Sequence, residues 1–127
     1  MLDLLADHPN VTDFEGACEA VFQREEMMST GVGKGLALPH AKTGAVEGII
    51  AAFATTQHPI AYGSVDDIPV SMLFLMISTE RAKSQHIKLL SRVSRLMNEE
   101  DFRSRLLEAE LSAEVLQIFQ EGELNLT

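Results

Sequence analysis

Two largely apolar segments near the middle of the chain constrain its fold more than any other feature. Gly48–Thr55 reads GIIAAFAT and Val70–Ile77 reads VSMLFLMI, and both have the length and the apolar or β-branched content of buried strands. Leu36–Leu38 predicts a third, short strand, which the following proline ends. Between the two long strands we predict a shorter pairing segment and then a turn, at Ile60–Gly63 and Asp66-Asp67.

Helical periodicity begins on the N-terminal side of these strands. Thr12-Asp13-Phe14-Glu15 has the sequence of a capping box, in which Thr12 and Glu15 satisfy each other's backbone amides. The capping box and the helical spacing that follows predict a helix that begins at Thr12 and ends near Met27. The apolar residues that follow at helical spacing are Phe14, Ala17, Cys18, Val21 and Phe22.

Helices are also predicted on the C-terminal side. One runs from about Ser84 to Asn98, and its apolar face contains His86, Leu89, Leu90, Val93, Leu96 and Met97. Asn98 or Asp101 opens a second, which carries Phe102, Leu106 and Leu107. Ser112 caps a third, which Gly122 ends and which turns Val115, Leu116 and Phe119 inward. Strands in the middle with helices at both ends predict a sheet covered on both faces.

Length, charge and cysteine content limit the class of protein. The 127 residues, 46% of them hydrophobic, suit one domain with a real core. Nucleic-acid binding needs a basic face, and 10 Lys plus Arg against 19 Asp plus Glu argue against it. Cys18 is the single cysteine, so no internal disulfide or cysteine metal site forms, which fits a reducing cytoplasm. The chain shows neither a signal peptide nor an apolar run long enough for membrane insertion.

The stretch Arg24–His40, REEMMSTGVGKGLALPH, holds the residues that suggest chemistry. Histidine is a nitrogen nucleophile near neutral pH, glycines let backbone amides approach an anion, and a guanidinium binds phosphate oxygens. Taken singly, these signals are weak. The glycines fit a plain turn, a lone histidine is more often structural, and an arginine at a helix end is usually solvated. The anion-binding candidates are Arg24, Ser29, Thr30, Gly31 and Gly33, beside His40.

The same stretch closely resembles the active-site signature of the fructose/mannitol-type enzyme IIA domains, a family that includes the nitrogen-regulatory phosphotransferase proteins. The matching elements are Arg-Glu, Ser-Thr-Gly, Gly-Leu-Ala-Leu-Pro-His and the later segment Gln85–Leu96, QHIKLLSRVSRL. The resemblance covers nearly the whole chain. It implies a three-layer α-β-α sandwich with a mixed central sheet.

The resemblance also implies roles for individual residues. His40 matches the phosphorylated histidine, His86 the second active-site histidine, and Arg24 the arginine beside the phosphohistidine. Ser29 and Thr30 match the Ser-Thr pair, and Gly31 and Gly33 are assigned with them to phosphate binding. From periodicity alone, His86 is better explained as a buried histidine that hydrogen-bonds to the backbone, and only the resemblance favours a role in the site. Lys34, Lys42 and Met28 are candidates for the rim around His40, and each is equally explained as an ordinary surface residue.

The resemblance implies a phosphocarrier without metal or other cofactor. His40 would accept a phosphoryl group from the carrier protein HPr or a homologue and pass it to a IIB domain. A regulatory domain, whose phosphorylation state controls binding to target proteins, is the main alternative. A metal site formed by His40, His86 and an acidic residue, and a domain that no longer transfers phosphate, are further alternatives. The sequence does not specify a sugar.

Residues 1–127 are expected to form a single enzyme IIA domain that lacks the family's N-terminal strand and helix. An edge of the sheet is then left exposed, and exposed edges recruit partners. We therefore expect self-association through this region, which light scattering at high concentration tests.

Overall fold

The computed structural model describes residues 2–27, 31–64 and 66–126. It divides into two compact units, Met1–Ser84 and Gln85–Thr127, which are described in turn. The single domain expected from the sequence stays a prediction. No helix in the described part of the chain is long and apolar enough to cross a membrane.

The first unit is built around a β-sheet. Its elements, in chain order, are a 3-10 helix (Leu2–Leu5), α1 (Phe14–Met27), β1 (Gly31–Gly33), β2 (Leu36–Ala37), β3 (His40–Lys42), β4 (Ile49–Ile60), β5 (Val70–Ser78) and a second 3-10 helix (Glu80–Ala82). The two long apolar segments of the sequence are therefore the strands β4 and β5. The second unit consists of helices, with α2 (Lys83–Met97) beginning just before it and α3 (Glu100–Glu108) and α4 (Ser112–Leu126) following.

β5 is the central strand of the sheet. β4 pairs with it in antiparallel register from Ile49 opposite Ser78 to Thr55 opposite Met72. β2 and β3 pair with it in parallel, with Leu36 opposite Met72 and His40 opposite Met76. The two strands therefore share the same register relative to β5. Because β4 already occupies one edge of β5, β2 and β3 share the other. The mixed α/β fold predicted from the sequence is confirmed.

Pro39 interrupts the parallel segment without moving its register. Proline has no N–H to donate to a ladder, but its carbonyl accepts a hydrogen bond from the backbone N–H of Met76 at 3.0 Å. The chain therefore stays against β5 through the gap between β2 and β3. His40, the first residue of β3, is therefore held opposite Met76 of the central strand.

The core of the first unit lies between α1 and one face of the sheet. Its buried members are Leu5, Ala17, Val21, Ala41, Ala45, Val46, Ile50, Leu75 and Ile77. Leu75 and Ile77 lie two apart on β5 and so share a face, and Ala17 and Val21 lie one turn apart on α1. Phe22, which helical spacing places with the apolar residues of α1, is 61% exposed, because it lies beyond the edge of this buried stripe.

The start of α1 differs from the predicted capping box. The carboxylate of Asp13 accepts the backbone N–H of Gly16 at 3.1 Å, so Asp13 is the capping residue. The backbone N–H of Thr12 instead donates to the carbonyl of Ala45 at 2.9 Å. A long-range contact thus fixes the backbone at Thr12, and the N-cap of α1 is Asp13, one residue later than predicted.

The region after β4 also differs from the prediction. β4 itself continues to Ile60, which pairs with Val70 after a shift of register. Residues 61–64 therefore lie outside the strands, where a separate strand at Ile60–Gly63 was expected. The turn predicted at Asp66-Asp67 is confirmed, with the backbone N–H of Asp67 donating to the carbonyl of Ser64 at 3.1 Å.

In the second unit, α2 matches the predicted helix to within one residue at each end. Its residues His86, Val93, Leu96 and Met97 are buried.

Phe102 and Phe119 join α3 to α4 in an edge-to-face contact with ring centroids 5.4 Å apart. On the surface, Arg105 and Glu121 form an ion pair at 2.6 Å, and the Arg105 guanidinium lowers the pKa of Glu121.

Two predictions about α4 are wrong. Leu116 is 64% exposed, because Ile118 takes the buried position in that turn. Gly122 does not end the helix but lies buried inside it. A Cβ at Gly122 would lie 2.8 Å from both Leu96 Cδ2 and Phe102 Cε2. The glycine is therefore a packing residue.

We expect Gly122→Ala to destabilise the protein although alanine is the better helix former. The helix would gain about 1 kcal/mol, but overpacking a filled core costs about 1–3 kcal/mol, so the net loss should be about 1 kcal/mol. Urea denaturation measures it. Gly122→Ala combined with Leu96→Ala should lose less than the sum of the two single changes, because the second removes the obstructing methyl groups. A fully additive pair would contradict this explanation.

Candidate functional site

A tight hairpin leads to His40. β1 and β2 are antiparallel and are joined by Lys34 and Gly35, which have φ of 58° and 77°. Two central residues with positive φ define the type I′ turn that suits the twist of a two-residue hairpin. Gly35 adopts this conformation at no steric cost, whereas a left-handed conformation costs a lysine about 1–2 kcal/mol.

We expect Lys34→Asn to stabilise the protein by about 0.5–1 kcal/mol, because Asn-Gly is a preferred pair for this turn. The midpoint of urea denaturation measures the gain. Lys34→Gln is the matched control, since it also replaces the charge with an amide but lacks the left-handed preference of asparagine. Equal midpoints for the two variants would show that the turn conformation is not the cause.

Asp66 holds the tip of this hairpin from a distant part of the chain. Its Oδ2 accepts the backbone N–H of Lys34 at 2.9 Å, and its Oδ1 accepts the backbone N–H of Ile68 at 3.1 Å. These two donors, Lys34 first, hold the pKa of the carboxyl group below its usual value. The sequence indicated a turn at Asp66 but carried no signal for a contact with a residue 32 positions away.

Gly31, where the hairpin begins, is packed closely against Ser64. A Cβ built on Gly31 would overlap the Ser64 hydroxyl and lie 3.1 Å from both its Cα and its Cβ. Ser64 is buried, and within the described residues its hydroxyl has no hydrogen-bond partner. Gly31 is thus required by packing, while Gly33, with φ of 97°, lies beside the Asp66 carboxylate.

The His40 ring has a defined tautomer. Its Nδ1 lies 2.7 Å from the backbone carbonyl oxygen of Leu38. A carbonyl oxygen only accepts hydrogen bonds, so Nδ1 carries the proton and the neutral ring has its lone pair on Nε2. The ring is half-buried. The arrangement gives a fixed imidazole whose Nε2 has the electron pair that nucleophilic attack requires.

Arg24 is placed on a neighbouring element of the same unit. It lies in the last turn of α1 and is half-buried. α1 packs against β3, the strand that begins at His40. The structure thus brings the helix of Arg24 against the strand of His40. Ser29 and Thr30 lie outside the described residues, as does Met28.

His86 lies in the second unit, in the first half of α2, where it is 2% exposed. Its assignment as a second site histidine stays a prediction. Two of the expected rim residues, Lys34 and Lys42, are exposed in the first unit. Among the described residues, no three His, Cys, Asp or Glu side chains lie close enough to hold a metal ion together.

Comparison with known proteins assigns the chain to a family. Residues 1–122 match the model of the phosphoenolpyruvate-dependent sugar phosphotransferase system, EIIA 2. A fructose-specific EIIA component from Haloferax volcanii is 38% identical over 121 residues, which cover 95% of this chain and 79% of that protein.

Solved structures of enzyme IIA proteins have a similar fold. The nitrogen regulatory protein IIA-Ntr from Neisseria meningitidis superimposes with a TM-score of 0.83 and 30% identity, over 91% of this chain and 79% of that one. Enzyme IIA-mannitol from Escherichia coli, in its complex with phosphorylated IIB-mannitol, superimposes with a TM-score of 0.77 and 18% identity. The match covers 94% of this chain and 82% of that one. The fold is that of the enzyme IIA domains. The chain belongs to the EIIA 2 family of the phosphotransferase system.

Proposed function

We propose that this protein is a phosphocarrier that accepts a phosphoryl group from phospho-HPr, or a homologue, on Nε2 of His40 and passes it to a IIB domain. The observation that carries the proposal is the hydrogen bond from His40 Nδ1–H to the carbonyl of Leu38, which leaves the nucleophilic lone pair on Nε2. Family membership supplies the chemical context.

The transfer is an in-line exchange of one phosphorus–nitrogen bond for another. Nε2 of His40 donates its lone pair to phosphorus, and the donor histidine nitrogen leaves with the electron pair of the bond that breaks. The ring of His40 gains positive charge as the new bond forms. Its Nδ1–H bond to the Leu38 carbonyl then becomes charge-assisted, so that a fixed backbone dipole stabilises the product.

Arg24 is the candidate for binding the phosphoryl oxygens. A guanidinium offers several N–H donors in a plane and keeps its charge at all relevant pH values. Its helix packs against the strand of His40. In this proposal Ser29, Thr30 and the amides near Gly31 and Gly33 contribute further donors, His86 stabilises the phosphoryl group, and no metal or cofactor takes part.

The test is intact-mass analysis after incubation with phosphoenolpyruvate, enzyme I and HPr. Gain of one acid-labile phosphoryl group supports the carrier role. No gain from several HPr homologues, with the protein shown to be folded, would refute it. Transfer onward is tested by adding a purified IIB domain to the phosphorylated protein and following loss of the label.

A regulatory role is the second candidate, because the similarity to the nitrogen regulatory protein IIA-Ntr is at least as good as that to the sugar-specific proteins in structure. In this role the phosphorylation state of His40 alters binding to a target protein. Recovering binding partners separately with the phosphorylated and the unphosphorylated protein distinguishes the transport role from the regulatory role. A partner captured by one form alone favours regulation, and rapid transfer to IIB favours transport.

A further inference from the structure

His40 and Lys42 lie on the same face of β3, because side chains alternate along a strand. Ala41, between them, points to the other face, where it is 5% exposed and belongs to the core that α1 covers. His40 lies opposite Met76 and Lys42 opposite Ser78, so pairing with β5 fixes both positions. The two side chains therefore project together from the face that lies away from this core.

The same pair marks the place where that face of the sheet meets solvent. Met76 and Ser78 on β5 are fully buried, whereas His40 is half-buried and Lys42 is exposed. Burial thus falls from β5 to β3, and it falls further from His40 to Lys42. A group attached to the His40 ring would therefore share its solvent boundary with the Lys42 side chain.

The backbone of Lys42 is fixed, while its side chain is long enough to reach such a group. The backbone N–H of the next residue, Thr43, donates to the carbonyl of Ser78 at 2.8 Å, which holds the end of β3 against β5. Residues two apart on a strand are separated by about 7 Å. A lysine carries its ammonium group on a flexible stem of four carbon atoms. The ammonium of Lys42 can therefore contact a phosphoryl group on the His40 ring.

The charge of Lys42 is available for such a contact. Its ammonium forms no hydrogen bond or ion pair with any residue that the structure describes. The chain carries 19 acidic and 10 basic side chains, and this excess of negative charge repels a phosphoryl group. A cation without a carboxylate partner, on the face of His40, offsets that repulsion where the transfer takes place.

We propose that Lys42 is a catalytic residue for phosphoryl transfer at His40, whose ammonium donates hydrogen bonds to the phosphoryl oxygens during transfer and while the group is held on the ring. The inference rests on the proposed function. Lys42 forms no covalent bond and gives up no proton. The exchange of one phosphorus–nitrogen bond for another is unchanged, and the ammonium neutralises charge on the oxygens. It adds a second cation to the role proposed for Arg24.

The first test compares initial rates of phosphoryl transfer from phospho-HPr to the wild-type protein and its variants. Lys42→Gln should lower kcat about tenfold with little change in the KM for phospho-HPr, because the lost charge acts on the transferring group. Lys42→Arg keeps the charge and should stay within about threefold of the wild-type rate.

Lys88→Gln is the matched control for the loss of one lysine charge. Lys88 is exposed on α2, and it lies about 200° around the helix from His86. This variant should transfer at the wild-type rate. A kcat of Lys42→Gln equal to that of Lys88→Gln would overturn the inference.

A phosphorus NMR titration of the phosphorylated proteins tests the contact itself. A cation beside the phosphoryl group favours its dianion and so lowers its second pKa. This pKa should be higher by about 0.5 in phosphorylated Lys42→Gln than in phosphorylated wild type, and it should be unchanged in Lys88→Gln. Equal pKa values in the three proteins would overturn the inference even if transfer to Lys42→Gln is slow.

The outcomes keep the two proposals apart. Wild-type protein that gains no phosphoryl group refutes the carrier role itself. Wild-type protein that is phosphorylated with the same kcat as Lys42→Gln leaves the carrier role standing and removes the role of Lys42. A raised KM with an unchanged kcat would show that Lys42 contacts the carrier protein and not the phosphoryl group, which also overturns the inference. Because Lys42 is exposed, its variants should keep the wild-type urea midpoint.

Discussion

His40→Ala should abolish phosphoryl uptake, whereas the wild-type protein gains one phosphoryl group per chain. The alanine variant lacks the Nε2 lone pair that forms the phosphorus–nitrogen bond, and backbone amides or a guanidinium cannot replace a nucleophile. The loss should therefore be complete within detection rather than partial. Intact-mass analysis after incubation with phosphoenolpyruvate, enzyme I and HPr measures it, and brief acid treatment should remove the label.

His58→Ala is the matched control, because His58 is an exposed histidine on β4 of the same unit. It should take up phosphate like wild type. The unfolding midpoint of His40→Ala should stay near that of wild type, since its ring is only half-buried. Acid-labile phosphate on the His40 variant would place the nucleophile elsewhere. An acid-stable group on wild type would indicate a hydroxyl ester rather than a phosphohistidine.

Local patterns were sufficient for the main elements of the fold. The apolar runs that became β4 and β5 are long enough to be read without context, and the helical spacing of α2 extends over four turns. His40 and Arg24 were predicted together because a motif links them, and the elements that carry them, α1 and β3, pack against each other. What the motif could not give is the hydrogen bond from Nδ1 of His40 to the carbonyl of Leu38, which depends on the backbone conformation across Pro39.

The errors arose where distant residues decide a local outcome. Thr12 has the sequence of a cap, yet Ala45 binds its backbone and Asp13 caps the helix instead. Gly122 has the appearance of a helix stop, yet α2 and α3 press against it and the helix continues. Asp66 appeared to be an ordinary turn residue because its partner lies across the fold. At Thr12 and Gly122 a tertiary contact overrides a local preference, whereas at Asp66 the predicted turn forms and the tertiary contact is added to it.

Gly31→Ala tests the packing at the start of the hairpin and should have the largest effect on stability of the changes considered. The φ of Gly31 is not in the left-handed region, so the backbone accepts alanine and only the lack of space opposes it. The new methyl group would overlap the Ser64 hydroxyl. Both residues are buried, and forcing them apart should cost about 2–3 kcal/mol. Urea denaturation measures the loss, and phosphoryl uptake should slow as well.

Two further variants identify the cause. Gly44→Ala is the same substitution at a glycine with nothing within 4 Å of the added Cβ, so it should be neutral or raise stability by up to about 1 kcal/mol. Ser64→Gly in the Gly31→Ala background removes the hydroxyl and Cβ that the methyl group meets, and should restore part of the lost stability. If Gly31→Ala proves as stable as Gly44→Ala, the contact with Ser64 does not constrain the hairpin. If Ser64→Gly gives no recovery, the loss arises from another neighbour.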